Sequence, residues 1–183
     1  MNCDILHIKY EYDRDKLNDE SKQINYKPVH VDHNIREKKV YDSFKKEEIG
    51  WWKTQETWKY SEKFSLDHIK NFSETSRIYH DFKNILKLTD EEIRIRFVTQ
   101  KINTEAKSHV DATPASINFL IYGSATPIIF EDEREYFYEA ALLNVSKAHS
   151  VPIQRKTDRL LLKMNLLTMS FETARERILN ELL

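Results

Sequence analysis

Between Ile93 and Leu167 the chain is a succession of short runs rich in β-branched and aromatic residues, separated by turn residues and charges. Ile93, Ile95 and Phe97 alternate with Arg94 and Arg96, the two-residue period of a half-buried strand. Exposed strand charge is the simplest account of those arginines, and contact with a substrate carboxylate is a second one. Ser116 to Tyr122 reads as a strong strand, Gly123-Ser124 as a turn, and Pro127 to Phe130 as the next strand. Tyr136 to Val145 has helical propensity in Ala140, Ala141, Leu142 and Leu143, but its place in the series makes it a strand. Asn144 and Ser146 turn the chain, and Arg159 to Leu167 closes the series. Many short strands at such spacing bury their apolar faces by forming a sandwich or barrel.

Three potential metal ligands lie inside this segment. His109 and Asp111 are two residues apart, so on a strand end both side chains point to one face, within reach of a single ion. His149 follows forty positions later, about what a jelly-roll chain needs to cross its sandwich and return beside its own start. Two imidazoles and a carboxylate occupy one face of an octahedral metal and leave the opposite positions open, as non-haem Fe(II) oxygenases require. Ten residues after His149, Arg159 opens the apolar run Leu160-Leu161-Leu162 and offers a planar fork for a carboxylate. Asn118, Leu120 and Tyr122 share one face of their strand by the two-residue period. If that face looks inward, Asn118 and Tyr122 are placed to bond co-substrate oxygens; neighbouring backbone would satisfy them equally well. Taken singly, His149 reads as a satisfied polar residue and Arg159 as half of a surface pair. Their order and spacing together favour the metal site.

This ordered set of His109-x-Asp111, His149-Ser150-Val151 and Arg159 resembles the Fe(II)/2-oxoglutarate-dependent dioxygenases, nearest the branch of aspartyl/asparaginyl and prolyl hydroxylases. The resemblance covers roughly Ile93 to Leu167. It implies a mainly β fold with flanking α-helices and a double-stranded β-helix core of the jelly-roll, cupin-like kind. It also implies Fe(II) on His109, Asp111 and His149, and 2-oxoglutarate as co-substrate with its far carboxylate on Arg159. Dioxygen is the second partner, and hydroxylation of a C–H bond, with an amino-acid or peptidyl side chain as the acceptor, is the implied reaction. A non-catalytic cupin-like binding protein, or another metal-dependent enzyme on the same fold, is the alternative. The primary substrate is not legible.

A second His-x-Asp provides a control. His30-Val31-Asp32-His33 is followed by His68 and Arg77, but Ser73 to Leu88 reads as a helix with Ile78, Phe82, Ile85 and Leu86 on one face. Arg77 then sits on a helix, and His30, His33, His68 and His80 read as surface or half-buried polar residues.

Composition narrows the alternatives. The chain has 183 residues, a formal net charge of -1 and two glycines, Gly50 and Gly123. Phosphate-cradling loops need several glycines, so P-loop and Rossmann fingerprints are absent. The charge balance provides no global field for nucleic acid. With Cys3 as its single cysteine the chain forms no internal disulfide, and a reducing cytoplasm is the simplest home. No apolar run approaches the ~20 residues that cross a bilayer, and no secretory apolar region is seen.

The sequence reads as one domain over residues 1–183: N-terminal strands and supporting helices over 1–92, the metal-binding core over 93–169, and a C-terminal helix over 170–183. Ile5 to Tyr12 alternates like a strand, Asp13 to Gln23 reads as a short charged helix, and a brief strand is expected from Pro28 to Val31. Ile49 to Lys53 and Thr57 to Tyr60 are aromatic and β-prone. Trp51, Trp52 and Trp58 are read as packing residues or as walls of a substrate groove. Ser65 to Asn71 and Ser73 to Leu88 read as helices, the second capped by Ser73. Ser150, Thr157 and Asp158 suit either turns or support of the site. Ser170-Phe-Glu-Thr starts a capped amphipathic helix that packs outside the sandwich.

Overall fold

The fold was obtained as a computed structural model that describes residues 4–24, 26–28, 58–61, 69–123, 127–153 and 157–182. It is mainly β with flanking helices, as the strand series leads one to expect. The strands are β1 (Ile5–His7), β2 (Tyr26–Pro28), β3 (Trp58–Ser61), β4 (Ile93–Gln100), β5 (Ala106–His109), β6 (Ala115–Tyr122), β7 (Ile128–Phe130), β8 (Glu135–Tyr136), β9 (Ala140–Leu143), β10 (His149–Val151) and β11 (Arg159–Leu166). Helices α1 (Arg14–Ser21), α2 (Ser73–Ile85) and α3 (Phe171–Leu182) accompany them.

The strands form two antiparallel sheets, ordered β1-β9-β6-β11-β4-β3-β2 and β5-β10-β7-β8. Alternation along the large sheet gives it an apolar outer face and an inner face of mixed character. Ile93, Ile95 and Phe97 of β4, Ile117 and Phe119 of β6, and Leu162, Met164 and Leu166 of β11 pack with Leu17 of α1, Ile78 and Phe82 of α2, and Ala174 and Ile178 of α3. The helices therefore cover the outer face, and α3 lies outside the sandwich as its amphipathic stripe predicts. On the inner face Ala141 and Leu143 of β9 meet Ile128 and Phe130 of β7, while Val98, Leu120 and Leu161 form a smaller cluster across β4, β6 and β11.

The first sheet strand is shorter than its alternation suggests. Pairing with β9 covers Ile5 to His7, and Ile8 N–H still donates to the Ala140 carbonyl at 2.9 Å. Beyond it Tyr10 packs on Phe82, and the Tyr12 hydroxyl donates to the Leu120 carbonyl at 2.8 Å. Side-chain anchors replace the ladder there. Residues 29–57 and 62–68, which include Trp51 and Trp52, His30, His33 and His68, lie outside the described residues, and so do the expectations that fall on them. Trp58 lies in β3, whose partners are β2 and β4. His80 is exposed on α2, and Arg77 is on that helix too, in keeping with the control argument.

Helix α1 starts where Asp13 accepts from Lys16 N–H at 2.9 Å. Helix α2 has no such local cap. Phe72 occupies the cap position, and the expected Ser73 cap is replaced from a distance by Glu20 of α1. The buried Glu20 carboxylate accepts from Glu74 N–H at 2.8 Å, Thr75 N–H at 2.9 Å and the Thr75 hydroxyl at 2.7 Å. Glu74 returns the favour by accepting from Asp13 N–H at 2.9 Å. Each helix thus satisfies N–H groups that the other leaves orphaned. Glu20→Ala strands two buried helix-terminal donors and should cost about 2–3 kcal/mol. At roughly 2–4 °C per kcal/mol for this chain length, the midpoint of thermal unfolding should fall by about 4–12 °C. A melt within a degree of the parent protein would show that this reciprocal cap contributes nothing.

Candidate metal centre

The small sheet brings the two histidines together. His109 ends β5 and His149 begins β10, and the antiparallel register places them directly opposite one another, with Phe130 of β7 on the other side of His149. Their ring centroids are 4.4 Å apart at 51°. Asp111 lies just past β5, where its N–H donates to the Val145 carbonyl at 2.9 Å and so fixes the turn against the chain leaving β9. One ligating atom from each of His109, Asp111 and His149 lies within 4.8 Å of the others. The three residues paired by spacing and order in the sequence therefore converge.

The electrostatics suit a cation. His149 Nδ1 donates to the Lys147 carbonyl at 2.9 Å, which leaves Nε2 with its lone pair for a metal. Burial, followed by the neighbouring His109, pushes the His149 imidazole down to about 4 against the pull of Asp111, so at neutral pH it is an uncharged ligand. Burial opposes ionisation of Asp111. Lys163 and the histidines outweigh it and hold the carboxyl well below the usual range. One oxygen of that carboxylate, Oδ1, faces His109 Nε2 at 3.5 Å; the other, Oδ2, accepts from Lys163 Nζ at 2.8 Å. With Oδ2 engaged, Oδ1 is the atom offered to an ion beside the imidazoles. The donor set of two imidazoles and one ionised carboxylate fits a divalent transition metal.

The remaining sequence candidates lie on the large sheet. Arg159, at the start of β11 opposite Gln100 of β4, is 3% exposed, and burial lowers its pKa while the nearby Tyr138 phenol raises it. Asn118 of β6 is buried, donates to the Tyr138 hydroxyl at 3.1 Å, and has no hydrogen-bond partner for its Oδ1 among the described residues. Arg159 and Asn118 thus share Tyr138 as a neighbour. Tyr122 departs from the expectation. A bulge between Leu160 and Leu161 places Tyr122 opposite Leu160, an outer-face residue, and Leu120 opposite Leu161. The extra residue breaks the two-residue period, so Tyr122 leaves the face of Asn118 and is 53% exposed. Next to the bulge, Gly123 has φ +92°, and a Cβ there would collide with the Asp158 carbonyl oxygen. Asp158 itself accepts from Ile102 N–H at 2.9 Å and pairs with Lys101, tying the start of β11 to the end of β4. That bond assigns it to the strand junction and not to the ligands.

Sequence reasoning missed Lys163, Tyr138 and the inward turn of the β4 arginines. Arg94 and Arg96 are half-buried on the sheet face opposite Ile93, Ile95 and Phe97, not exposed strand charges. The signal for Lys163 was present: a lysine and Asn165 interrupt an otherwise apolar strand at inner-face positions. Polar residues on a strand covered on both sides call for partners.

No protein family profile matches the chain, and no curated protein does. Similar solved structures include the viral collagen prolyl hydroxylase of Paramecium bursaria Chlorella virus-1, solved as its 2OG complex, at 9% identity and a TM-score of 0.42 over 60% of this chain and 78% of that one. A salicylate 1,2-dioxygenase from Pseudaminobacter salicylatoxidans matches at 12% identity and 0.34, over 41% of this chain and 21% of that one. A cupin superfamily protein from Desulfitobacterium hafniense matches at 12% and 0.34, over 44% and 72%. The chain therefore spans about a fifth of the length of the salicylate dioxygenase. Among the described residues, no helix is long and apolar enough to cross a membrane.

Proposed function

We propose that this protein is an Fe(II)- and 2-oxoglutarate-dependent dioxygenase that hydroxylates a C–H bond, with an amino-acid or peptidyl side chain as the acceptor and the cytoplasm as its compartment. The observation that carries the reading is the convergence of His109, Asp111 and His149 within 4.8 Å, on one side of a sandwich whose other sheet buries Arg159. In this reading the metal-binding core over 93–169 is the working part of a single domain over 1–183.

His109, Asp111 and His149 would hold the iron, which, when bound, supplies the oxygen chemistry that side chains lack. With three protein ligands, an ion held there would keep coordination positions for a 2-oxo acid and for dioxygen. Arg159 takes the far carboxylate through its planar fork, and Asn118, in the Lys163 row of the same sheet face, offers polar atoms nearer the metal ligands. The Val98, Leu120 and Leu161 cluster occupies the sheet row between Arg159 and Lys163 and excludes water from the co-substrate chain. Lys163 keeps the Asp111 carboxylate ionised and turned so that Oδ1 faces the imidazoles. The overall balance is one 2-oxoglutarate, one dioxygen and one C–H bond consumed, with succinate, carbon dioxide and one hydroxyl formed.

Anaerobic titration of the Fe(II)-loaded protein with 2-oxoglutarate should produce a weak visible metal-to-ligand charge-transfer band. A protein that binds Fe(II) yet shows no band at saturating 2-oxoglutarate would be a metal-binding protein of another kind. Arg159→Lys keeps the charge but loses the fork, so the 2-oxoglutarate concentration at half-maximal band intensity should rise by roughly 10-fold or more, the effect of about 1.4 kcal/mol. An unchanged titration would remove Arg159 from the co-substrate site.

A further inference from the structure

The inner face of the large sheet carries polar groups that neither the metal nor the co-substrate uses. Across β9, β6, β11 and β4, one row of paired residues is Ala141, Asn118, Lys163 and Arg96. The next row is Leu143, Ser116, Asn165 and Arg94, one step of roughly 7 Å along the strands. Lys163 of the first row touches Asp111. The second row stands at the same end as that ligand, because Asp111 is bonded to Val145, two residues after Leu143. Arg159 begins β11 four residues before Lys163, so it lies toward the other end. The Arg94 row therefore flanks the metal ligands on the side away from the proposed co-substrate anchor.

Three polar atoms of this row are buried without a hydrogen-bond partner among the described residues: Ser116 Oγ, Asn165 Oδ1 and Arg94 Nε. Ser116 is 0% exposed. Native proteins leave few such groups unsatisfied, and a cluster of them beside a metal site marks a place that a ligand completes. A solvated strand arginine would keep its Nε in water, whereas here that nitrogen is buried. The chemistry of the three atoms is specific. A guanidinium N–H asks for a carboxylate, the Asn165 carbonyl oxygen accepts only from an N–H or O–H, and the hydroxyl does either.

We infer that Arg94, Asn165 and Ser116 form the primary-substrate subsite, and that the substrate carries a carboxylate with a hydrogen-bond donor close beside it, as an α-amino or α-hydroxy acid does. The inference rests on the metal centre proposed above. Arg94 takes the carboxylate, Asn165 Oδ1 accepts from the adjacent amino or hydroxyl group, and the Ser116 hydroxyl completes whichever of the two is nearer. Such a substrate is held on one side of the metal while the 2-oxo acid occupies the other.

The test is anaerobic calorimetry on the full chain loaded with Mn(II) and 2-oxoglutarate, using the free L-amino acids, the matching L-α-hydroxy acids and the L-amino-acid amides as probes. At least one free acid should bind, and the amino-acid and hydroxy-acid arms distinguish which donor is read. Blocking its carboxylate as the amide should weaken binding at least tenfold. Arg94→Gln should weaken the same acid at least tenfold, Arg94→Lys less, and Ser116→Ala a few-fold, while Mn(II) and 2-oxoglutarate affinities of Arg94→Gln stay within twofold of the parent. Three results would overturn the assignment: no acid of either series binds although 2-oxoglutarate does; Arg94→Gln binds the acids as the parent does; or Arg94→Gln loses 2-oxoglutarate instead. If the parent Mn(II)-loaded protein does not bind 2-oxoglutarate, the dioxygenase reading falls, and the Arg94-dependence of acid binding still decides the subsite by itself.

Discussion

Asp111→Ala is expected to abolish metal binding and succinate formation together. The side chain supplies the one anionic ligand of the cluster, and its loss leaves two imidazoles facing the ion. It also removes the partner of Lys163, so an ammonium 2.8 Å from the former carboxylate oxygen now repels the incoming dication. Both changes act in the same direction. Affinity should fall beyond the roughly 10–100-fold that loss of a ligand's outer partner causes. Equilibrium dialysis against Fe(II) or Mn(II) measures the first effect, and succinate release measures the second. Full succinate production by this variant would refute the ligand assignment.

Lys163→Met should destabilise the protein strongly without metal and much less with it. The Lys163 and Asp111 side chains are 15% and 20% exposed, so the pair is largely withdrawn from water. Removing the ammonium leaves a largely buried carboxylate without its cationic partner, a change on the order of 3 kcal/mol for a broken buried pair. The thermal midpoint of the metal-free protein should therefore fall by roughly 6–12 °C. A bound dication supplies the missing positive charge at the same carboxylate, so saturating Mn(II) should restore most of the loss. Thermal melts of parent and variant, with and without Mn(II), give the comparison. An equal deficit in both states would mean that the metal does not reach Asp111.

Much of the site was legible because its determinants are local. The two-residue separation of His109 and Asp111, and the placement of both histidines at strand ends, follow from strand geometry that each short segment carries in its own residues. The helices were legible for the same reason: the apolar stripe of Ile78, Phe82 and Leu86 has the period of a helix face wherever the helix is put. Failures occurred where a distant segment competes. The alternation of Leu6, Ile8, Tyr10 and Tyr12 fits a strand, but the tyrosine hydroxyls find Asp81 and the Leu120 carbonyl, and the β9 partner runs out. Ser73 is a good cap by type, yet Glu20, more than fifty positions earlier, takes the two donors. Tyr122 fell off its face because one bulged residue shifts every side chain after it.

The sequence alone thus determined that the chain would be a mainly β sandwich carrying a His-x-Asp and a second histidine, because side-chain alternation and residue type are properties of short segments. Tertiary structure decided which polar side chains meet: Lys163 on Asp111, Tyr138 between Asn118 and Arg159, and Arg94 level with Ser116 and Asn165. Those meetings depend on sheet order and register, which bring together residues tens of positions apart. A one-residue slip would send each of them to the opposite face.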